Sequence, residues 1–123
     1  MEAKELLLHA RKAQENAVAK YSDYPVGAAL LSKKGEVIKG CNIESKAYPS
    51  TMCAERVAIF SAISQSIYKF NALAIITSDG GMPCGACLQI IHEFCGNIPI
   101  YVGDENLNYK SYSTHELLPH PFG

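Results

Sequence analysis

Two cysteines three positions apart, in Pro83-Cys84-Gly85-Ala86-Cys87, constrain this chain more than any other feature of its sequence. Pro83 suits the first turn of a helix, and at a helix start both sulfurs can turn toward one metal ion while nearby backbone N–H groups favour the thiolate form. Taken alone the spacing is ambiguous, with a thioredoxin-like redox pair as the first rival. A third cysteine lies upstream in Cys53-Ala54-Glu55, where another helical pattern begins. Metal binding by all three would oblige the fold to bring two helix starts to one point.

The chain has 123 residues, which is room for one domain, residues 1–123, with a core it can bury unaided. Its 11 basic and 12 acidic residues give a net charge of −1, and no Lys/Arg cluster is longer than the pair Lys33-Lys34. A nucleic-acid groove or membrane-surface patch is therefore not expected. No apolar run approaches the ~20 residues of a membrane-spanning helix. The start, Met1-Glu2-Ala3-Lys4-Glu5, carries acids where a signal peptide needs a basic segment, so the expected location is the cytoplasm. Five cysteines, an odd number, fit a disulfide framework poorly and suit metal ligands plus buried thiols in a reducing compartment.

Apolar spacing predicts a first helix over residues 3 to 19, broken before Tyr24 by Pro25. Val26 to Leu31 and Glu36 to Cys41 read as a hairpin around Lys33-Lys34-Gly35. Cys53 to Ser64 has helical spacing, and Ala72 to Thr77 suits a strand covered on both faces. A third helix from Pro83 stops at Gly96; Ile98 to Val102 and Tyr109 to Tyr112 are strands; Ser113 with Glu116 has capping-box spacing for a last turn, Thr114 to Leu118. The alternation predicts parallel neighbours in the middle of the sheet, helices on both faces and an antiparallel first hairpin.

Cys53-Ala54-Glu55 together with Pro83-Cys84-Gly85-Ala86-Cys87 resembles the zinc deaminase signature, in which His or Cys, any residue and Glu precede P-C-x-x-C. On that resemblance Cys53, Cys84 and Cys87 are the zinc ligands and the fourth position is left for water, as in catalytic rather than closed structural sites. Cys41 or Cys95 could in principle close the site; otherwise both read as small buried hydrophobes. Three thiolates leave the ion with a net charge near −1, which two helix N-termini and hydrogen bonds from Arg56 would offset. Glu55 fits a proton shuttle, against the plainer reading of a helix-start acid facing the dipole. His9, His92, His115 and His120 have no ligand spacing to the cysteines.

The likeness extends from Tyr21 nearly to the C-terminus, through Pro25-Val26-Gly27-Ala28-Ala29-Leu30, Gly40-Cys41-Asn42-Ile43-Glu44, Cys53-Ala54-Glu55-Arg56, the cysteine pair with Gln89, and Glu116-Leu117-Leu118-Pro119. It is similar to the small, homotetrameric cytidine deaminases with three cysteine ligands. The resemblance implies an α/β fold, a three-layer α/β/α sandwich with a mixed five-stranded sheet, one zinc per chain, and hydrolysis of cytidine and 2'-deoxycytidine to the uridines and ammonia. It also implies that Asn42 and Glu44 bind the ribose hydroxyls and that the backbone around Ala54 and Cys84 contacts the pyrimidine. Loop capping is the plainer reading of Asn42 and Glu44. Tyr24 stands where the family usually has Phe beside the base, and its hydroxyl needs a partner if buried. Phe122 matches an aromatic residue that reaches a neighbouring subunit's base, and Leu88 replaces an Arg common in the family. Tyr48 with Pro49 lines either a subunit interface or ordinary packing.

The chemistry implied is transfer of a water proton through Glu55 to ring N3, attack at C4, and a second proton passed to the departing amine. The expected substrate is a small nucleoside, used in pyrimidine salvage. Rivals are a deaminase of a related nucleoside such as blasticidin S, nucleotide and polynucleotide deaminases, which balanced charge and Glu44 disfavour, and a non-catalytic zinc module.

Overall fold

Ala3–Gln14 forms the first helix, α1, which buries Leu6, Leu7, Ala10 and Ala13 along one side. The computed structural model describes residues 1–123. The sequence pattern carries this helix on to residue 19, yet it ends at Gln14 because Val18 is drawn into extended pairing. The Val18 N–H donates to the Asn42 carbonyl at 2.9 Å, and the Val18 carbonyl accepts from the Glu44 N–H at 2.8 Å. Long-range backbone bonds override a weak local preference here.

β1 (Gly27–Ser32) and β2 (Val37–Cys41) form the expected hairpin, with Leu30 opposite Ile38 and Gly35 turning at φ +92°. α2 (Ala54–Ser64) follows, then β3 (Phe70–Ile76), α3 (Gly85–Cys95), β4 (Pro99–Gly103), β5 (Tyr109–Ser113) and α4 (Thr114–Leu117). β3 starts earlier than its apolar run suggests, because Phe70 pairs with Ser32 past an irregularity in β1. α3 starts later than Pro83, with Cys84 as its cap. The expected capping box is present at α4, where the Ser113 hydroxyl accepts from the Glu116 N–H and the Glu116 carboxylate accepts from the Ser113 N–H.

The strands make one five-stranded sheet in the order β2-β1-β3-β4-β5. β3 and β4 run parallel, joined through α3; every other neighbouring pair is antiparallel. Side chains alternate across the sheet, so β1 sends Ala28 and Leu30 to one face and Ala29 and Leu31 to the other. The first face packs against Ala54, Ala58, Ile59 and Ala62 of α2 and Leu88 and Ile91 of α3. The second packs against Leu6, Leu7 and Ala10 of α1. The result is a three-layer α/β/α sandwich with a mixed sheet, as the resemblance implies. No helix is long and apolar enough to cross a membrane.

Candidate metal centre and active site

Cys53 and Cys84 are the N-cap residues of α2 and α3, each with extended backbone (φ −72°, ψ 152° and φ −73°, ψ 165°) that turns the chain into its helix. α2 is brought down onto the sheet by Gly40 of β2, where a Cβ would stand 2.5 Å from the Ala54 carbonyl and 2.6 Å from the Ala58 nitrogen. Only a residue without a side chain permits that approach. An isolated bridge between Ile43 and Met52 fixes the segment just before Cys53. The β3 strand ends at Ile76, and the following loop delivers Pro83 and Cys84 to the same crevice, beyond the carboxyl end of a parallel strand.

The sulfurs of Cys53, Cys84 and Cys87 all lie within 4.8 Å of one another. Cys84 Sγ is 3.3 Å from Cys87 Sγ and accepts from the Cys87 N–H at 3.5 Å. Arg56 Nη2 donates to Cys53 Sγ at 3.3 Å. The Cys87 thiol, donating to Cys53, and then the Arg56 guanidinium lower the Cys53 pKa to about 5. Cys87 moves in the opposite direction, because it supplies that proton and is buried. Cys53 thus carries the negative charge of the pair, and its neighbour Arg56 is held more firmly protonated by it.

This donor set fits zinc. Three sulfurs within 4.8 Å of one another, one pair at 3.3 Å, bracket the ~3.8 Å separations that Zn–S bonds of ~2.3 Å in a tetrahedron require. The buried Nε of Arg56 has no partner, so a cation with donor capacity to spare stands beside the sulfurs and suits thiolates. Cys41 and Cys95 do not join the cluster. Cys95, near the end of α3, is pushed up to about 12 by burial, as befits a structural thiol.

Glu55 is 4% exposed and faces the same cavity as Cys53 and Cys84. Burial raises its pKa, and the Cys53 charge adds to that. A carboxyl so placed exchanges protons more readily near neutrality than an exposed one. The cavity measures about 150 Å³, with Asn42, Cys53, Ala54, Glu55 and Cys84 on its polar side and Val26, Ile75 and Met82 supplying apolar wall. That is below the ~300 Å³ of ordinary small-molecule pockets, enough to hold a single heteroaromatic ring with the rest of a ligand outside.

Asn42 is buried at the cavity edge. Its Nδ2 donates to the Tyr24 carbonyl at 3.0 Å and its Oδ1 accepts from the Val26 N–H at 2.9 Å. Glu44 accepts from the Tyr21 and Ser22 N–H groups at 2.9 and 3.0 Å and from the Ser22 hydroxyl, which holds its carboxyl below the usual range. The loop-capping reading of both residues is thus realised in the structure, with Asn42 in the cavity wall and Glu44 beside it, its Oε2 3.5 Å from Asn42 Nδ2. The Tyr24 hydroxyl has its partner: it donates to Asp79 Oδ1 at 2.6 Å. Phe122 lies elsewhere, its ring 89% exposed while Gln89 grips its backbone in both directions, at 2.7 and 3.0 Å.

The structure adds Val26, Ile75, Thr77 and Met82 to the cavity wall, and Asp79 beside it. From the sequence Val26 and Ile75 read as strand residues and Ser78-Asp79-Gly80-Gly81 as a loop; the Asp79-Gly80 turn shortly before Pro83 is the one local signal at Asp79.

A family model described as the cytidine and deoxycytidylate deaminase zinc-binding region matches residues 1–102. A cytidine deaminase of Sporosarcina psychrophila is 43% identical over 125 aligned positions, covering 99% of this chain and 92% of the relative. The crystal structure of cytidine deaminase from Burkholderia pseudomallei superposes with a TM-score of 0.95 at 35% identity, covering 99% of this chain and all of that one. A blasticidin-S deaminase of Bacillus cereus is more distant, 29% identical over 87% of this chain and 84% of its own length.

Proposed function

This chain belongs to the cytidine and deoxycytidylate deaminase zinc-binding family, and from that premise we propose that its cavity takes free cytidine and 2'-deoxycytidine and releases the uridines and ammonia. The chain is an enzyme that deaminates cytidine and holds one zinc ion. The observation that carries the assignment of roles is the placing of buried Glu55 at a cavity that also opens onto the sulfurs of Cys53 and Cys84.

Cys53, Cys84 and Cys87 hold the zinc, and Arg56 steadies the Cys53 thiolate. When bound, zinc supplies the Lewis acidity that makes water a nucleophile near neutral pH. Glu55 takes one proton from the attacking water and delivers it to ring N3 as oxygen bonds to C4. The carbon becomes tetrahedral. Glu55 then carries the remaining hydroxyl proton to the exocyclic amine, the C4–N bond breaks, and ammonia leaves as the C4 carbonyl forms. Water contributes both hydrogens, one to N3 and one to ammonia, so the atoms balance. The apolar wall of the cavity and the Tyr24 ring hold the base, the backbone at Ala54 contacts it, and Asn42 and Glu44 receive the sugar hydroxyls.

Phe122 completes the site of a neighbouring copy in a homotetramer, a reading supported by a ring that is exposed while its backbone is fastened. The whole of residues 1–123 works as one domain. The expected setting is pyrimidine salvage in the cytoplasm, whose reducing conditions suit a cluster of free thiols.

The test is the ultraviolet loss of cytidine absorbance on purified protein, with zinc counted per chain in the same sample. Conversion with about one zinc per chain is expected. Full zinc without conversion would overturn the substrate reading in favour of a modified cytosine nucleoside or a binding module.

A further inference from the structure

The cavity is lined by Val26 and Asn42 on one side and by Thr77, Gly81, Met82 and Pro83 on another, and each side is backed by a loop from a distant part of the chain. Residues 21–25 carry Tyr24 and are tied to Asn42 and Glu44, the residues proposed for the sugar. Residues 77–83 run from the end of β3 past Met82 to the cysteine pair. One hydrogen bond joins them, from the Tyr24 hydroxyl to Asp79 Oδ1 at 2.6 Å.

Both ends of that bond are prepared. Asp79 Oδ1 also accepts from the Gly81 N–H at 3.1 Å and the Thr77 hydroxyl at 3.3 Å, while Thr77 Oγ1 accepts from the Gly81 N–H at 2.8 Å. Thr77, 3% exposed and directly after β3, ties the carboxylate to the end of the sheet independently of Tyr24. On the other side the Tyr24 carbonyl accepts from Asn42 Nδ2, and its N–H donates to Ser22 Oγ, which in turn bonds Glu44. Gly81 leaves the space that the hydroxyl occupies, since a Cβ there would collide with Tyr24 Oη. A polar path therefore runs from Glu44 and Asn42 through Tyr24 and Asp79 to the loop that enters the zinc cluster.

We propose that the Tyr24 hydroxyl and the Asp79 carboxylate form a latch that fixes the sugar side of the cavity against its base side, with Asp79 a positioning residue for nucleoside binding. The inference rests on the substrate reading given above. A latch of this kind acts on binding: it holds the two walls at the spacing a nucleoside needs, so ordering them costs less when the substrate arrives. It does not touch the reacting atoms, and the proton path through Glu55 is independent of it.

The test uses Asp79→Ala, Asp79→Asn, Tyr24→Phe and the double variant Tyr24→Phe/Asp79→Ala in the zinc-loaded enzyme. Asp79→Ala is expected to raise KM for cytidine, and Kd for uridine by calorimetry, about fivefold while kcat and zinc content hold. Tyr24→Phe removes the latch bond alone and should raise KM by no more than Asp79→Ala, which also removes the acceptor of the Gly81 N–H and the Thr77 hydroxyl; the double variant should be no worse than Asp79→Ala, because the latch bond is already lost there. Asp79→Asn keeps an acceptor oxygen and should recover most of the lost affinity. Amide exchange over residues 78–83 in substrate-free protein should quicken about fivefold in Tyr24→Phe, a readout that needs no substrate. Unchanged KM, additive effects, or kcat and zinc falling together would overturn the latch. Failure of the unsubstituted enzyme to convert cytidine would overturn the substrate reading alone, and the exchange measurement would still decide the latch.

Discussion

Replacing Glu55 by Gln should separate catalysis from stability in opposite directions. The amide keeps the size of the carboxyl and removes its ability to carry a proton. The cavity wall contains no other carboxylate and no histidine, so nothing can take over. Two proton transfers pass through this one group, and at the low end of ~10²-fold for each the loss of turnover is about 10⁴-fold, or ~5 kcal/mol of barrier. Zinc content should hold, since Glu55 is outside the sulfur cluster. Stability moves the other way. Burial raises the carboxyl pKa in the fold above its unfolded value, so the ionised form is a cost to the folded state that is absent below the ordinary carboxylate range near ~4 and complete above the raised pKa. The Gln variant should therefore melt higher than the parent at neutral and alkaline pH, with the advantage shrinking as pH falls toward that range. The assays are cytidine absorbance, zinc per chain and melting curves across pH. A variant within tenfold of the parental rate, or one that has lost its zinc, would refute the shuttle; a lower melting temperature at every pH would refute the electrostatic argument.

Cys84→Ala should lose both zinc and turnover, since two sulfurs cannot hold the ion as three do; metal analysis after dialysis checks it. Arg56→Ala removes the donor to Cys53 Sγ and should weaken zinc affinity ~10- to 100-fold, measured by competition with a chromogenic chelator. Gly40→Ala places a methyl group against the Ala54 and Ala58 backbone, and should cost about 1–3 kcal/mol and lower Tm by several degrees. Because α2 begins at that contact, the same variant should release zinc faster than the parent, although Gly40 touches none of the ligands.

The metal cluster was legible because its parts are local patterns: a cysteine pair at helix spacing behind a proline, and a cysteine two residues before a glutamate at another helix start. The strands of the hairpin and the α4 capping box were legible for the same reason, each being set by residues within a few positions of one another. Asp79 was not, because its role depends on Tyr24, and nothing in an Asp-Gly turn says which side chain will arrive from elsewhere in the chain. The early end of α1 was hidden likewise, because the partners of Val18 are backbone groups of Asn42 and Glu44.

By itself the sequence determined which groups could do chemistry here, since thiols, a carboxyl and a guanidinium at fixed spacings carry their reactivity and their helix positions with them. It also determined the order of helices and strands, because side-chain periodicity is a short-range property. Only the tertiary structure decided the strand order β2-β1-β3-β4-β5, the gathering of three sulfurs within 4.8 Å, and the burial that raises the Glu55 pKa. Those depend on which distant backbone groups satisfy one another and how closely α2 approaches Gly40, and such pairings are settled by packing the whole chain at once rather than by any stretch of it.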